Sequence, residues 1–151
     1  MTYPITGAAG AVILRRVRNK GDEMTKSTVN YWNPLLPEHA DAWTPVAGLG
    51  GMAEEVTLSH DPSTGEYTRL TRFLPGADTS AFGSKTHAYP EEIFIVSGQL
   101  FDEAAQRWLT SGEYASRPPG EIHGPFRTQE GCVVLEVSFP NRARIADNRK
   151  S

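Results

Sequence analysis

The sequence predicts an all-β fold in a single domain, built as a sandwich or a jelly-roll barrel. Its length of 151 residues suits one domain with one hydrophobic core. Fourteen glycines and eleven prolines punctuate the chain, and such frequent turn residues favour short strands over long helices. Between them lie short stretches rich in β-branched and aromatic residues, which is the pattern of a sandwich or barrel.

Five stretches are predicted as strands. In chain order they are 54–58, 66–74, 92–97, 113–117 and 132–139. A turn over 60–65 separates the first two. The third is nearly all apolar and is expected to end at Gly98, and its short length favours a buried strand over a helix. Beyond it, the apolar pairs 100–101 and 108–109 flank a polar turn.

Composition excludes several functional classes. The net charge of -3 gives no electrostatic reason to expect nucleic-acid binding. A single cysteine, Cys132, excludes an intrachain disulfide and suits a reducing compartment. No apolar run approaches the roughly 20 residues of a membrane span, and the basic residues follow the apolar stretch 8–14 instead of preceding it, unlike a secretory signal. We therefore expect a cytoplasmic protein that binds neither nucleic acid nor membrane.

The two ends of the chain differ from its middle. Residues 1–30 combine Gly-Ala repeats with a basic cluster and are expected to form an N-terminal extension. This extension is either loosely attached or an arm whose segment 11–17 adds a strand to a neighbouring sheet edge. The folded domain is expected over 31–140, and the basic residues of 141–151 indicate a solvated C-terminal tail.

Two spaced motifs carry the candidate chemistry. The first, H-x3-E-x6-G, begins at His87 and includes Glu91; the second, G-x5-P-x-G-x2-H, ends at His123. Two imidazoles and one carboxylate match the two-His-one-carboxylate face of non-haem iron(II) sites. They also match the ligands of catalytic zinc, and ligand type alone leaves manganese open. A lone histidine near a strand is usually a surface or capping residue, and His39 and His60 have only that interpretation.

These motifs resemble those of the cupin superfamily, and within it the ChrR-like cupins. That group includes the zinc-binding domain of an anti-sigma factor and relatives of acetylacetone-cleaving dioxygenase. The resemblance spans roughly 43–139 and rests on the stretches 70–77, 91–98, 117–126 and 130–132. It implies a small double-sheet β-barrel, the cupin domain, over 31–140, with a divalent transition metal held in its mouth by His87, Glu91 and His123. It also implies a homodimer, for which the arm at 11–17 would suit strand exchange.

Two positions depart from the family's pattern. The first motif usually begins His-x-His, and here Lys85 stands in the first place; the second usually ends x3-Asn, and here Arg127 stands there. A charged ammonium has no lone pair, so Lys85 cannot ligate a metal in that form. Three interpretations follow. Lys85 points away from a three-ligand site, or it lies beside the metal as a catalytic cation that orients an anionic substrate or enolate, or the site no longer binds a metal firmly.

The resemblance implies a metal-dependent enzyme acting on a small organic substrate that is anionic or enolisable. Its most concrete form is a non-haem iron dioxygenase that cleaves a carbon–carbon bond in a β-dicarbonyl compound. Isomerase, lyase or hydrolase chemistry at the same site is one alternative. A non-catalytic zinc- or ligand-binding cupin with a sensor or regulatory role is another.

Three further residues have candidate roles. Arg69 and Arg72 lie three apart on the predicted strand 66–74 and therefore face opposite sides. The commoner arrangement is that both reach the surface; in the other, one of them points into the barrel and is a candidate to bind a substrate carboxylate through two hydrogen bonds. Cys132 begins an apolar strand and is expected to be a buried hydrophobe, not a nucleophile.

Overall fold

The computed structural model describes Lys26 and residues 31–141. Within these residues the chain forms eight strands and two short 3-10 helices, Pro37–Ala42 and Ser80–Phe82. The strands are β1 (Thr44–Pro45), β2 (Ala53–His60), β3 (Tyr67–Phe73), β4 (Glu91–Asp102), β5 (Arg107–Thr110), β6 (Tyr114–Arg117), β7 (Phe126–Arg127) and β8 (Cys132–Ser138). The predicted arm at 11–17 and residues 142–151 of the predicted tail lie outside the described residues.

Every strand pairing is antiparallel. The strands follow the order β1-β2-β3-β8-β4-β5, and β6 and β7 also pair with β4. The predicted strands at 54–58, 66–74, 113–117 and 132–139 correspond to β2, β3, β6 and β8. The all-β prediction is therefore confirmed. The sequence does not predict β1 or β7, because a strand of two residues is too short to show a periodic pattern.

Strand β4 links the two parts of the sheet. Its first residues pair with β6 and β8, and its last residues pair with β5 and β7. The pairing with β8 shifts register between Ile95 and Ser97, and Gly98 has a φ of 75°. The prediction that the strand ends at Gly98 is wrong, because the strand bulges before the glycine and continues through it to Asp102.

The inner face of the curled sheet forms the main hydrophobic core. Phe73 of β3, Ile93 of β4 and Val134 of β8 are buried together there. Leu70 belongs to a smaller cluster on the opposite face. Side chains alternate between faces along a strand, so Glu91, two residues before Ile93, shares the inner face with the core. A carboxylate is thus placed at the end of an otherwise apolar row.

No helix among the described residues is long and apolar enough to cross a membrane.

Candidate metal centre

His87 and Glu91 approach one another at the start of β4. Glu91 is the first residue of that strand and is 3% exposed, while His87 lies in the preceding loop. The distance from His87 Nε2 to Glu91 Oε1 is 3.7 Å. The ring of Tyr89 stacks on the His87 imidazole, with centroids 4.9 Å apart and planes 14° apart. This stacking restricts the rotation of the imidazole beside the carboxylate.

His123 joins the pair through a backbone bridge to Lys85. The N–H of Lys85 donates to the His123 carbonyl at 2.9 Å, and the N–H of His123 donates to the Lys85 carbonyl at 3.0 Å. The N–H of Gly120 donates to the His87 carbonyl at 2.8 Å, which fastens the turn before His123. The imidazole centroids of His87 and His123 are 5.0 Å apart. One potential ligand atom from each of His87, Glu91 and His123 lies within 4.8 Å of the others, so the structure brings the three predicted ligands together.

The state of His123 suits a metal ligand. Its side chain is buried, and no group in the described part of the chain forms a hydrogen bond of ordinary geometry with its Nδ1. The pKa of His123 is lowered to about 4, chiefly by burial and with contributions from the charge of Arg117 and the proximity of His87. The Glu121 carbonyl and the Asp102 carboxylate oppose this shift but are outweighed. A neutral imidazole retains the lone pair that ligation requires, so the donor set fits zinc, iron(II) or manganese(II).

A buried arginine holds the carboxylate of Glu91. Arg117 of β6 lies opposite Glu91 in the sheet, and its Nη1 donates to Glu91 Oε2 at 3.0 Å. Its Nη2 lies 3.6 Å from Asp102 Oδ2. The hydroxyl of Ser138 donates to Glu91 Oε1 at 3.3 Å. Both carboxylate oxygens therefore have hydrogen-bond donors.

Sequence reasoning missed Arg117 and Asp102. An arginine next to a proline-rich turn has the same appearance in sequence as a solvated surface arginine, and Asp102 precedes a polar turn. The folded chain instead buries both side chains, at 7% and 4% exposure. A charged side chain is almost never fully buried without a partner, so burial of Arg117 and Asp102 would have indicated that each has one. That burial follows from the strand pairing and cannot be read from the sequence.

Lys85 lies on the rim of the same site. It is exposed, yet it contributes to the wall of the cavity that His87, Glu91 and His123 also line. Directly opposed residues in an antiparallel pair project to the same face, so Lys85 and His123 share a face. Within residues 31–141, no carboxylate forms an ion pair with Lys85.

The cavity is small and mostly apolar away from the candidate ligands. Its volume is about 200 Å³. The apolar part of its wall includes Val46, Leu49, Phe73, Ile93, Leu100 and Phe126. Such a site, apolar with a few convergent polar groups, is typical of small-molecule binding.

Of the two arginines on β3, Arg69 contributes to the cavity wall. Its guanidinium is already engaged, with Nη1 at 2.6 Å from Glu55 Oε2 and Nε at 2.6 Å from Glu136 Oε2. Arg72 faces the other side, 4.2 Å above the ring of Trp43. Of the two arrangements left open by the sequence, the structure has one arginine on the cavity wall, but both bonding directions of its guanidinium are used by the protein itself.

Cys132 is 3% exposed, and burial raises the pKa of its thiol to about 12. Because the thiolate is the nucleophilic form, this cysteine packs as a small hydrophobe, as predicted.

Comparison with known proteins agrees with this architecture. The family model described as ChrR Cupin-like domain matches residues 35–140. No curated protein matches the chain in sequence.

Several solved structures have a similar fold. An acetylacetone dioxygenase from Acinetobacter johnsonii is 18% identical, with a TM-score of 0.57 over 76% of this chain and 77% of that one. KdgF from Halomonas sp. is 19% identical, with a TM-score of 0.53 over 68% of this chain and 89% of that one. The polyketide cyclase RemF from Streptomyces resistomycificus is 22% identical, with a TM-score of 0.51 over 65% of this chain and 72% of that one. At these identities the likeness establishes the fold and not the reaction.

Proposed function

Because the chain belongs to the ChrR Cupin-like family, we propose that it is a metal-dependent enzyme acting on a small organic molecule. The most concrete form is a non-haem iron dioxygenase that cleaves β-dicarbonyl compounds. The observation that carries the proposal is the convergence of His87, Glu91 and His123 on the wall of a small apolar cavity. Two imidazoles and one carboxylate leave coordination positions open for substrate and oxygen.

The charges around the cavity favour an anionic or enolisable substrate. Arg69 and Arg117 each have two carboxylate partners. Lys85 has none among residues 31–141, so it is the cation that remains available to an oxygen of the substrate. The apolar wall would receive the substrate's carbon skeleton and exclude water, which strengthens the attraction between the ammonium and an enolate.

His87, Glu91 and His123 would hold the metal, and Lys85 would bind and orient the enolate oxygen. A bound iron(II) would supply Lewis acidity and a route for reaction with oxygen. One O2 is consumed for each carbon–carbon bond broken, and its two atoms enter the two carbonyl-containing products. The apolar walls keep bulk water away from the substrate while this occurs.

The test combines metal analysis with oxygen uptake. The purified protein is analysed for its metal content, then reconstituted with iron(II) and supplied with a panel of β-dicarbonyl compounds, with ketones that lack the second carbonyl as controls. We expect about one metal per chain and oxygen consumption stoichiometric with the loss of a β-dicarbonyl. His123→Ala should abolish both, and His60→Ala, at the exposed end of β2, should abolish neither.

Each other outcome favours a named alternative. Substrate loss without oxygen consumption would point to isomerase, lyase or hydrolase chemistry. Firm zinc binding without turnover of any compound in the panel would point to a non-catalytic binding or sensor domain. Absence of bound metal after reconstitution would contradict the metal site itself.

A further inference from the structure

A chain of buried charges runs behind the three candidate ligands. Arg117 donates to Glu91 Oε2 at 3.0 Å, and its Nη2 lies 3.6 Å from Asp102 Oδ2. The three residues are 3–7% exposed. Placing a guanidinium beside a metal site works against binding of a cation, because like charges repel strongly where water is excluded. If the site holds a metal, Arg117 must therefore contribute something to metal binding that outweighs this repulsion.

The second oxygen of Asp102 contacts the other half of the site. The N–H of Gly124 donates to Asp102 Oδ1 at 2.8 Å, and Gly124 directly follows His123 in the chain. One carboxylate thus contacts the backbone beside His123 and, through Arg117, the side chain of Glu91. Asp102 is the last residue of β4 and Glu91 is the first, so the two halves are connected across the length of one strand.

We propose that Arg117 and Asp102 are positioning residues of the metal centre. Arg117 engages Glu91 Oε2, so that Glu91 offers the metal a single oxygen, Oε1, on the side of His87. Asp102 holds both the guanidinium and the turn that carries His123. The inference rests on the proposed metal site and adds to it the groups that set the orientation of its ligands. Outer partners of this kind typically contribute about 10- to 100-fold to metal affinity.

Electrostatics and positioning predict opposite effects of removing Arg117, which makes the inference testable. If Arg117 acted only through its charge, Arg117→Met would remove a repelling cation and metal would bind more tightly. If it positions Glu91, the same variant should bind metal more weakly in spite of the lost repulsion. Arg69→Met is the matched control, because Arg69 is also a cavity arginine with two carboxylate partners but contacts none of the three ligands.

The experiment measures the affinity for zinc(II) by competition with a chelator, and the visible absorption of the cobalt(II)-loaded protein. We expect Arg117→Met to lose about 10- to 100-fold in affinity and to change the cobalt spectrum, because Glu91 becomes free to bind through both oxygens. Arg69→Met should keep the wild-type spectrum and lose no affinity. Arg117→Lys retains the charge but not the planar fork, so it should still bind zinc more weakly than the wild type.

Wild-type affinity and spectrum in both Arg117 variants, or tighter binding in Arg117→Met, would overturn the inference while leaving the metal site intact. Failure of the wild-type protein to bind zinc(II) or cobalt(II) would instead overturn the proposed function, and the inference with it. If Arg117→Met does not fold, Asp102→Asn replaces it. That variant keeps the side-chain shape but removes the charge that holds Arg117, and unchanged affinity in it would again overturn the inference.

Discussion

Replacing Gly98 with alanine is expected to destabilise the protein at the centre of β4. Gly98 has a φ of 75° and pairs with Cys132 of β8. A Cβ atom there would lie 2.1 Å from the carbonyl oxygen of Gly131 and 3.0 Å from the Cα atom of Cys132. Both are backbone atoms beside the β4–β8 pairing, so neither can move aside as a flexible side chain could.

Two costs add in this variant. The left-handed conformation costs an L-residue roughly 1–2 kcal/mol. Forcing extra volume into a closely packed region costs roughly 1–3 kcal/mol. The smaller conformational freedom of alanine in the unfolded chain offsets less than about 1 kcal/mol of this. We therefore expect the free energy of unfolding to fall by about 1–5 kcal/mol.

Urea denaturation followed by tryptophan fluorescence measures the change, with Gly76→Ala as the control. Gly76 has nearly the same φ, 78°, but its added Cβ would meet nothing within 4 Å. Gly76→Ala should therefore show only the conformational cost. Equal losses in the two variants, or a loss below about 1 kcal/mol for Gly98→Ala, would refute the steric argument.

Four further predictions concern the site, the thiol and the assembly. His123→Ala should lose most of its metal on dialysis, as judged by elemental analysis, whereas His60→Ala should keep it; full occupancy in the first variant would disprove the ligand assignment. Lys85→Ala should retain metal but should bind anionic ligands, or turn them over, more weakly. Lys85→His could add a third imidazole to the metal site. A metal loss in Lys85→Ala that matches that of His123→Ala, or an unchanged affinity for every ligand, would contradict a role of Lys85 in binding the substrate. Burial raises the pKa of the Cys132 thiol from 9.0 to about 12, so the native state retains a proton that the unfolded state releases. Stability should then fall between pH 9 and pH 12, by up to about 1.4 kcal/mol per pH unit for this one group, and urea titrations of Cys132→Ala should show a smaller loss than those of the wild type. Light scattering at micromolar concentration should give twice the chain mass of 16.6 kDa, and deletion of 11–17 should weaken the dimer. A monomeric mass for the intact protein would count against the dimer and against strand exchange by 11–17.

The candidate ligands could be found from the sequence because local spacing determines much of their geometry. His87 and Glu91 belong to one stretch, with the apolar run of β4 directly behind them. The Pro-Pro-Gly turn before His123 indicates a tight reversal at the end of a strand. Patterns of this kind depend on a few neighbouring residues, so they can be recognised in a short stretch of sequence.

The supports of those ligands could not be found in the same way. Arg117 and Asp102 are separated by β5 and the turns on either side of it, and neither residue shows in sequence that its side chain is buried. Their partnership depends on β6 and β4 lying side by side, which is a long-range pairing that no local window contains. The continuation of β4 through Gly98 was missed for a related reason: a glycine that ends a strand and a glycine that bends one look alike in sequence.

The pairing of β4 with four other strands has a consequence for how the fold is lost. A sheet that opens strand by strand from its edges can unfold in stages, with local openings of different free energy. Strand β4 belongs to both parts of this sheet, since β6 and β8 pair with its first half and β5 and β7 with its second. Neither part can separate from β4 without losing the hydrogen bonds that its strands form with β4. Peripheral strands such as β1, with its single neighbour β2, can fray alone, but release of β4 removes the strand partner of β5, β6 and β7 and one of the two partners of β8 in one cooperative event.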